Sequence, residues 1–462
     1  MANTRNLGIL ITMGIGTLLS SMTNSVTNTV LPVIAQHLHL SIGLASWINL
    51  VYLVVLIVLL LPAGRLTDLA DRRLITAGGF GLFGLASAGA ALSHSLAALL
   101  AARAVTAVAG ALLLSAGPAV LTAAFPVEER GAALGWQALM TYFGLAIGPI
   151  FGGWLAQIAG WPAIFWMAVP IAVAGSIMAL AFVPGGDRGS SQRFDSIGSV
   201  TFMGAMVSLT LLMNPSAYLS RFWTFIAVLV PVLMVSGVWF IRRQQHVVDP
   251  LIDLRLFRTR NYGYGTLGAM INYLCFFVAL FLLPFYLSRV QGWTVGRIGL
   301  VLTIMPAFMM VLAPWAGRMS DRWGARGLAS LGMAANVLGL ASLAAAAGWR
   351  QTADVWLVAG LVLMGAGTGL FAAPNNAAIM KAAPAEKQGA ASGTLATARY
   401  VGMVAGTTLG SSVFHLLRGM LRSGTSFSLA FLWVMVIGAC FGLLGLGFTL
   451  SMERSAQSRR AS

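Results

Sequence analysis

Two arginines stand where a charge is costly. Arg103 and Arg399 fall inside stretches long and apolar enough to cross a bilayer, at the heads of RAVTAVAG (103–110) and RYVGMVAG (399–406). A cation in hydrocarbon needs a cavity or a partner, so position alone makes each a functional candidate. Arg399 lies about 16 Å into its stretch at the helical rise, and a strut bonded to backbone carbonyls is its second reading. Arg103 lies about 9 Å from an end, close enough for its side chain to reach outward instead. The acids offer neither a partner at depth: Asp68, Asp71, Glu128, Glu129, Asp187, Asp195, Asp249, Asp253, Asp321, Asp354, Glu386 and Glu453 all fall in loops or at the ends of stretches.

The other unusual chemistry is uncharged. In SSMTNSVTNTVLP (20–32), Ser20, Asn24 and Asn28 recur every four residues and share a helix face, flanked by Thr23 and Thr27. Such groups either glue helices together, at about 0.6 kcal/mol per hydrogen bond, or line a ligand cavity. In the second reading Asn49, Tyr52, Trp136, Gln137, Met140, Asn272, Tyr273, Asn375 and Asn376 face the same space from other stretches. Aromatic, thioether and amide groups together suit apolar ligands with a few polar handles. His37 and His39 are expected in an extracytoplasmic loop, where their ordinary pKa also suits a proton relay. Cys275 and Cys440 sit far apart inside apolar stretches, form no CxxC pair, and read as small buried apolar residues. Neither a metal site nor a cofactor is expected.

These residues ride on membrane helices. Only 9% of the 462 residues are charged, against roughly 25% needed to cover a soluble surface. Fourteen spans are expected, at 7–30, 44–62, 74–93, 97–125, 131–158, 161–184, 195–214, 221–241, 262–287, 295–316, 326–348, 353–380, 388–417 and 425–451. With the N-terminus inside, twenty Lys and Arg fall in cytoplasmic loops and tails and six on the far side, so both termini are expected in the cytoplasm. The net charge of +16 then reports topology, and nucleic acid is not an expected partner. The first span lacks a small-residue cleavage site and reads as a retained helix. Arg outnumbers Lys 26 to 2, which suggests a GC-rich bacterial genome and a cytoplasmic (inner) membrane.

The chain repeats itself. PVEERGAALG (126–135) and PAEKQGAASG (384–393) match at six of ten positions, and Tyr142, Gly144, Gly148 and Gly152 fall on Tyr400, Gly402, Gly406 and Gly410 at the same offset. GRLTD (64–68) and GRMSD (317–321) form a second pair. Both members of each pair lie on the cytoplasmic side, so the repeats are parallel, an arrangement that places a transporter's substrate site between its halves. The expected layout is a six-helix bundle over 1–186, two inserted helices over 187–245, and a second six-helix bundle with a short tail over 246–462. Gly144, Gly148 and Gly152 pave one face of the fifth span; with the bend at Pro149 they read as close packing or as a gate against span eight or eleven. Asp68 and Asp321, beside Arg65, Arg72, Arg73, Arg318 and Arg322, read as a solvated cluster or as a latch, with Arg130 the expected partner in the first half.

The chain resembles the fourteen-span drug:proton antiporter branch of the major facilitator superfamily. GRLTDLADRR (64–73) is similar to its loop motif Gly-x-Leu-x-Asp-Arg-x-Gly-Arg-Arg, with Leu69 and Asp71 departing, and GRMSDRWGAR (317–326) is closer in its second half. GLAIGPIFGG (144–153) matches the fifth-span antiporter motif, while RFDSIG (193–198), DPLIDLRLFRTRNY (249–262) and RYVGMVAG resemble other motifs of the branch. The resemblance implies an all-α membrane protein of the major facilitator fold. It also implies alternating access, export, proton antiport, a latch at Gly64, Asp68, Arg72, Gly317, Asp321 and Arg322, and a cavity reading for Arg103. One departure counts against its cation-exporting version. The branch's first-span pattern, Leu-Asp-x-Thr-Ile-Val-Asn-Val-Ala-Leu-Pro, puts Thr23 where the acid belongs.

The expected function is secondary active export of hydrophobic small molecules, neutral or anionic in preference to cationic. The alternative is an importer or facilitator of an organic anion. A sensor or lipid-handling protein of the same fold stands further off. An enzyme would need acid, base or metal ligands converging at one depth, and no GxxxxGK[ST] sequence is present to couple ATP. A periplasmic adaptor is compatible with the sequence but not implied by it.

Overall fold

Backbone polar groups in hydrocarbon must be satisfied within their own segment, so stretches this apolar become helices. The computed structural model describes residues 2–185, 195–213, 222–247, 252–349, 352–384, 387–420 and 426–453. In chain order the helices are α1 (Ala2–His37), α2 (Ile42–Leu69), α3 (Arg72–Ala91), α4 (Leu96–Ala124), α5 (Val127–Ala159), α6 (Ala163–Trp166), α7 (Ala168–Phe182), α8 (Ser196–Met213) and α9 (Phe222–His246). A 3-10 turn at Leu254–Arg258 precedes α10 (Arg260–Arg289). Then come α11 (Val295–Leu302), α12 (Ile304–Trp323), α13 (Ala325–Gly348), α14 (Ala353–Ala382), α15 (Gln388–Met420) and α16 (Ser426–Leu450). With α6 and α7 taken as one span and α11 and α12 as another, fourteen segments are long and apolar enough to cross a membrane among the described residues.

The first helix runs past Pro32 to His37, seven residues beyond the expected end at 30. One missing donor does not stop a membrane helix packed among others. His37 therefore closes the helix, its ring 6.0 Å from that of Trp161, while His39 follows in the loop at a positive φ of 53°. Helix starts are capped by short polar side chains: Ser41 accepts from the Leu44 N–H, Ser95 from that of Ala98, and Thr294 from that of Arg297.

The helices sort into two compact units, Met1–Ser199 with Trp293–Thr303, and Val200–Gly292 with Ile304–Ser462. In the first, α1 packs on α5, α4 and α7; α4 also receives α2 and α3, and α3 reaches α7. In the second, α10 packs on α15, α14 and α16; α14 also receives α12 and α13, and α13 reaches α16. Each pairing in one unit has its counterpart in the other, as the parallel sequence repeat requires. The first unit has one addition, since α11, the first part of span ten, packs on α5.

Glycine sets the principal seam of each unit. A Cβ at Gly148 would lie 2.5 Å from Ser25 Oγ, one at Gly152 2.7 Å from Val26 Cγ1, and one at Gly144 2.7 Å from the Leu18 carbonyl oxygen. The glycine run of α5 thus packs on α1. The opposite edge of the motif meets α11, where Gly153 lies against the Val295 carbonyl and the Pro149 carbonyl lies against Gly299. In the second unit Gly402 faces the Met270 carbonyl and Gly406 that of Leu274, so α15 lies on α10 in the same way.

Candidate functional site

The matched seams separate two explanations of the polar first span. On α10 the glycines of α15 meet Met270, Leu274 and Phe281; on α1 the glycines of α5 meet Ser21, Ser25 and Val26. An apolar helix fills the same place in the second unit, so close packing alone does not require the hydroxyls and amides of α1. Part of that chemistry serves the helices' own backbones all the same. Thr27 Oγ1 donates to the Thr23 carbonyl and Ser25 Oγ to the Leu145 carbonyl on α5.

The rest forms a buried seam within the first unit. Asn49 Nδ2 donates to Asn28 Oδ1 at 2.6 Å, and Asn28 Nδ2 reaches the Asn24 carbonyl. Further along α1, Ser20 Oγ and the Tyr52 hydroxyl share a hydrogen bond of 2.6 Å. Gly110 of α4 makes room for that pair, since a Cβ there would lie 3.0 Å from the Tyr52 oxygen. A turn or two onward, Gln137 Nε2 donates to Thr17 Oγ1 across the face of Gly117, which has no space for a side chain of its own. Thr23 and Asn24 are buried beside this line on α1.

Arg103 completes the seam from α4. It is fully buried, donates from Nε to the Ile48 carbonyl at 3.2 Å, and holds its guanidinium 4.4 Å from the centre of the Tyr52 ring. The snorkelling alternative therefore fails: the side chain turns inward. Its Nη1 and Nη2 have no hydrogen-bond partner among the described residues, and neither do Asn24 Oδ1 and Asn49 Oδ1. Buried polar groups normally find partners, so this seam holds donors and acceptors not satisfied by the fold itself. A cation stacked on a phenol ring gains some compensation, but no carboxylate among the described residues neutralises it. Thr17, Gly110 and Gly117 were not among the expected site residues. The signal was available, because Arg103, Gly110 and Gly117 recur every seven residues along one face of α4.

Trp136 and Met140 take another position. They lie over Gly14 of α1, and Trp136 is 39% exposed, so they flank the seam rather than join its hydrogen bonds.

The second unit holds its own group. Arg399 on α15 donates to Asn376 Oδ1 on α14 and lies 5.8 Å from the Tyr273 ring on α10. That bond is to an amide side chain, not to the backbone carbonyls of the strut reading. Asn375 points elsewhere, its Nδ2 donating to the Gly265 carbonyl. Asn272 is fully buried with both side-chain polar atoms unpartnered among the described residues.

The repeated loop motifs show a different relation. Gly64 of α2 faces Ser115 of α4, and Gly317 of α12 faces Ala373 of α14, equivalent contacts in the two units. Arg130 Nε donates to the Phe125 carbonyl, closing the end of α4. The side chains of Arg65, Asp68 and Asp321 lie outside the described residues, while Arg72 is half-buried and Arg322 exposed. Asp71, the departure from the motif, caps α3 by accepting from the Arg73 and Leu74 N–H groups. At the matching place the second half keeps Gly324 with φ at 79°, a backbone form that favours glycine. Asp253, in the loop before α10, pairs with Lys387 at 2.6 Å. Burial alone would raise the Asp253 pKa; the Lys387 hydrogen bond, the Arg255 N–H and both cations outweigh it and hold the carboxyl below its usual range.

Two homologous helical units, glycine-seamed and carrying buried polar groups at membrane depth, define a polytopic membrane protein of transporter architecture. The family model described as Major Facilitator Superfamily matches residues 13–407, with a further match over 265–462. The chain is 32% identical to the Uncharacterized transporter YebQ of Escherichia coli over 97% of both chains. It is 30% identical to the Riboflavin transporter RibZ of Clostridioides difficile over 88% of both. It is also 30% identical to the Tetracenomycin C resistance and export protein of Streptomyces glaucescens, over 87% of this chain and 74% of that one. In fold it is similar to the crystal structure of a bacterial homolog of the human lysosomal transporter Spinster, inward-facing and unoccupied, with a TM-score of 0.70 at 14% identity over 96% of both chains. The chain belongs to the major facilitator superfamily and is a multi-pass membrane transporter of small molecules.

Proposed function

We propose that this transporter exports hydrophobic small molecules, neutral or anionic, by alternating access across a bacterial cytoplasmic membrane, in exchange for protons. The observation that carries the substrate class is Arg103. A fully buried guanidinium with two unpartnered nitrogens, in a seam of amides and hydroxyls without an acid, offers hydrogen bonds to an acceptor-bearing or negative ligand. It offers a lipophilic cation only repulsion. Arg399, half-buried and held by an amide in the other unit, adds a second positive group.

Outward direction is supported by the complete GLAIGPIFGG motif and by relatives of which one is named as an export protein. Proton exchange is supported by the family resemblance alone, since Thr23 occupies the place of the acid. The layout of six, two and six helices, both termini in the cytoplasm, and the loop motifs as a latch belong to the same reading.

Vesicles of known orientation, loaded with neutral, anionic or quaternary ammonium substrates and given an imposed pH gradient, test it directly. Outward-equivalent flux of neutral and anionic compounds, quickened by the gradient, is the expected result. A clear preference for quaternary ammonium dyes overturns the substrate class. Net inward flux of an organic anion replaces export with import, and indifference to the gradient replaces antiport with facilitated export.

A further inference from the structure

The helix with the most exposed face carries a feature that transport does not use. Along α9 runs an apolar groove of about 750 Å³, lined by Met234, Val238 and Trp239. It ends at Arg242, Arg243 and His246. His246 also belongs to a second, more polar basin of about 640 Å³, walled by Arg255 and Arg258 from the 3-10 turn and by Lys387 before α15. The basin is structured: buried Gln244 accepts the Ile252 N–H, which ties the end of α9 to the segment before α10. Its acid, Asp253, is engaged by Lys387, and Arg242, Arg255 and Arg258 line the two cavities beside that pair.

An apolar channel at membrane depth that opens onto clustered cations matches one chemical class, an amphiphile with acyl chains and a phosphate head. We propose that α9, the 3-10 turn and Lys387 form a binding site for an anionic phospholipid. Its acyl chain lies along Met234, Val238 and Trp239, and its phosphate sits among Arg242, Arg255 and Arg258. Basic pockets at the ends of membrane helices recognise acidic headgroups in this way, each cation near the surface adding to the attraction. The arginine forks suit phosphate oxygens better than an ammonium point charge would. The site stands whatever the direction of transport, since it uses none of the buried polar seam.

The full-length protein, purified and titrated with cardiolipin under native mass spectrometry, provides the test. Phosphatidylcholine and inorganic phosphate are run in parallel. The wild type is expected to hold cardiolipin over phosphatidylcholine. The double variant Arg255→Gln, Arg258→Gln should weaken cardiolipin binding about tenfold or more. Trp239→Ala should weaken it without changing the charge, which distinguishes a groove from diffuse attraction. Arg297→Gln, on α11 in the other unit, should leave it unchanged. Wild-type affinity in both the arginine pair and the Trp239 variant overturns the site. Equal binding of phosphatidylcholine, or displacement of cardiolipin by inorganic phosphate alone, also overturns it. Melting temperature in phosphatidylcholine vesicles, equal for wild type and variants, guards against misfolding as the cause. Should the arginine variant fold poorly, the Trp239 comparison decides.

Discussion

At the scale of single residues, the decisive group is Arg103. A fully buried cation with two unpartnered nitrogens is a stability liability, and replacing such a group by an apolar one of similar volume is often stabilising. The substitution Arg103→Met is therefore expected to hold or raise the melting temperature while cutting transport of anionic substrates about tenfold, the loss of one charge-assisted contact. Melting in detergent and flux in vesicles measured on the same preparation check both halves. A purely structural arginine would lower melting and flux together. The position of Arg103 in a span was legible because hydropathy reads depth. Its inward turn toward Ile48 and Tyr52 was not, since a residue about two turns from a helix end can swing either way until its neighbours are known.

At the scale of elements, close helix packing explains why GLAIGPIFGG (144–153) carries its glycines. A methyl at Gly144 would press on Ser21 and the Leu18 carbonyl, and one at Gly402 on the Met270 carbonyl. Backbone atoms cannot step aside as side-chain ends can. Gly144→Ala and Gly402→Ala are each expected to destabilise by about 1–3 kcal/mol, read as lower melting temperature and lower membrane yield. Gly78→Ala and Gly237→Ala, where a Cβ meets nothing within 4 Å, should match or exceed wild type, because alanine is the better helix former. Comparable losses at all four would remove the packing argument. The spacing of Gly144, Gly148 and Gly152 announced a close contact. It did not name α1 as the partner, because a smooth face is equally open to several helices.

At the scale of the whole molecule, charge bias sets orientation. Twenty cationic side chains against six favour a cytoplasmic N-terminus. An alkaline phosphatase fusion placed after Ser93, between α3 and α4, should then be active, whereas one between α2 and α3 should be inactive. The reverse pattern would invert the topology and with it the sense of transport. The parallel repeat adds a second constraint at this scale. Equivalent helices make equivalent contacts in the two units, so each unit solves its packing in the same way from sequences that have diverged at most positions.

The amino-acid sequence by itself determined the fourteen spans, their likeness in two halves, the absence of a mid-span acid and the presence of two arginines within spans. Hydropathy, length and repetition are local properties, written in runs of neighbouring residues. The tertiary structure decided which of the polar groups on α1 meet one another. Asn28 takes Asn49 and Ser20 takes Tyr52, Gln137 reaches Thr17, and Asn375 turns away from the Arg399 group toward Gly265. Those choices depend on the rotation of each helix about its own axis and on where a neighbour offers a glycine. Packing between segments far apart in the chain sets both.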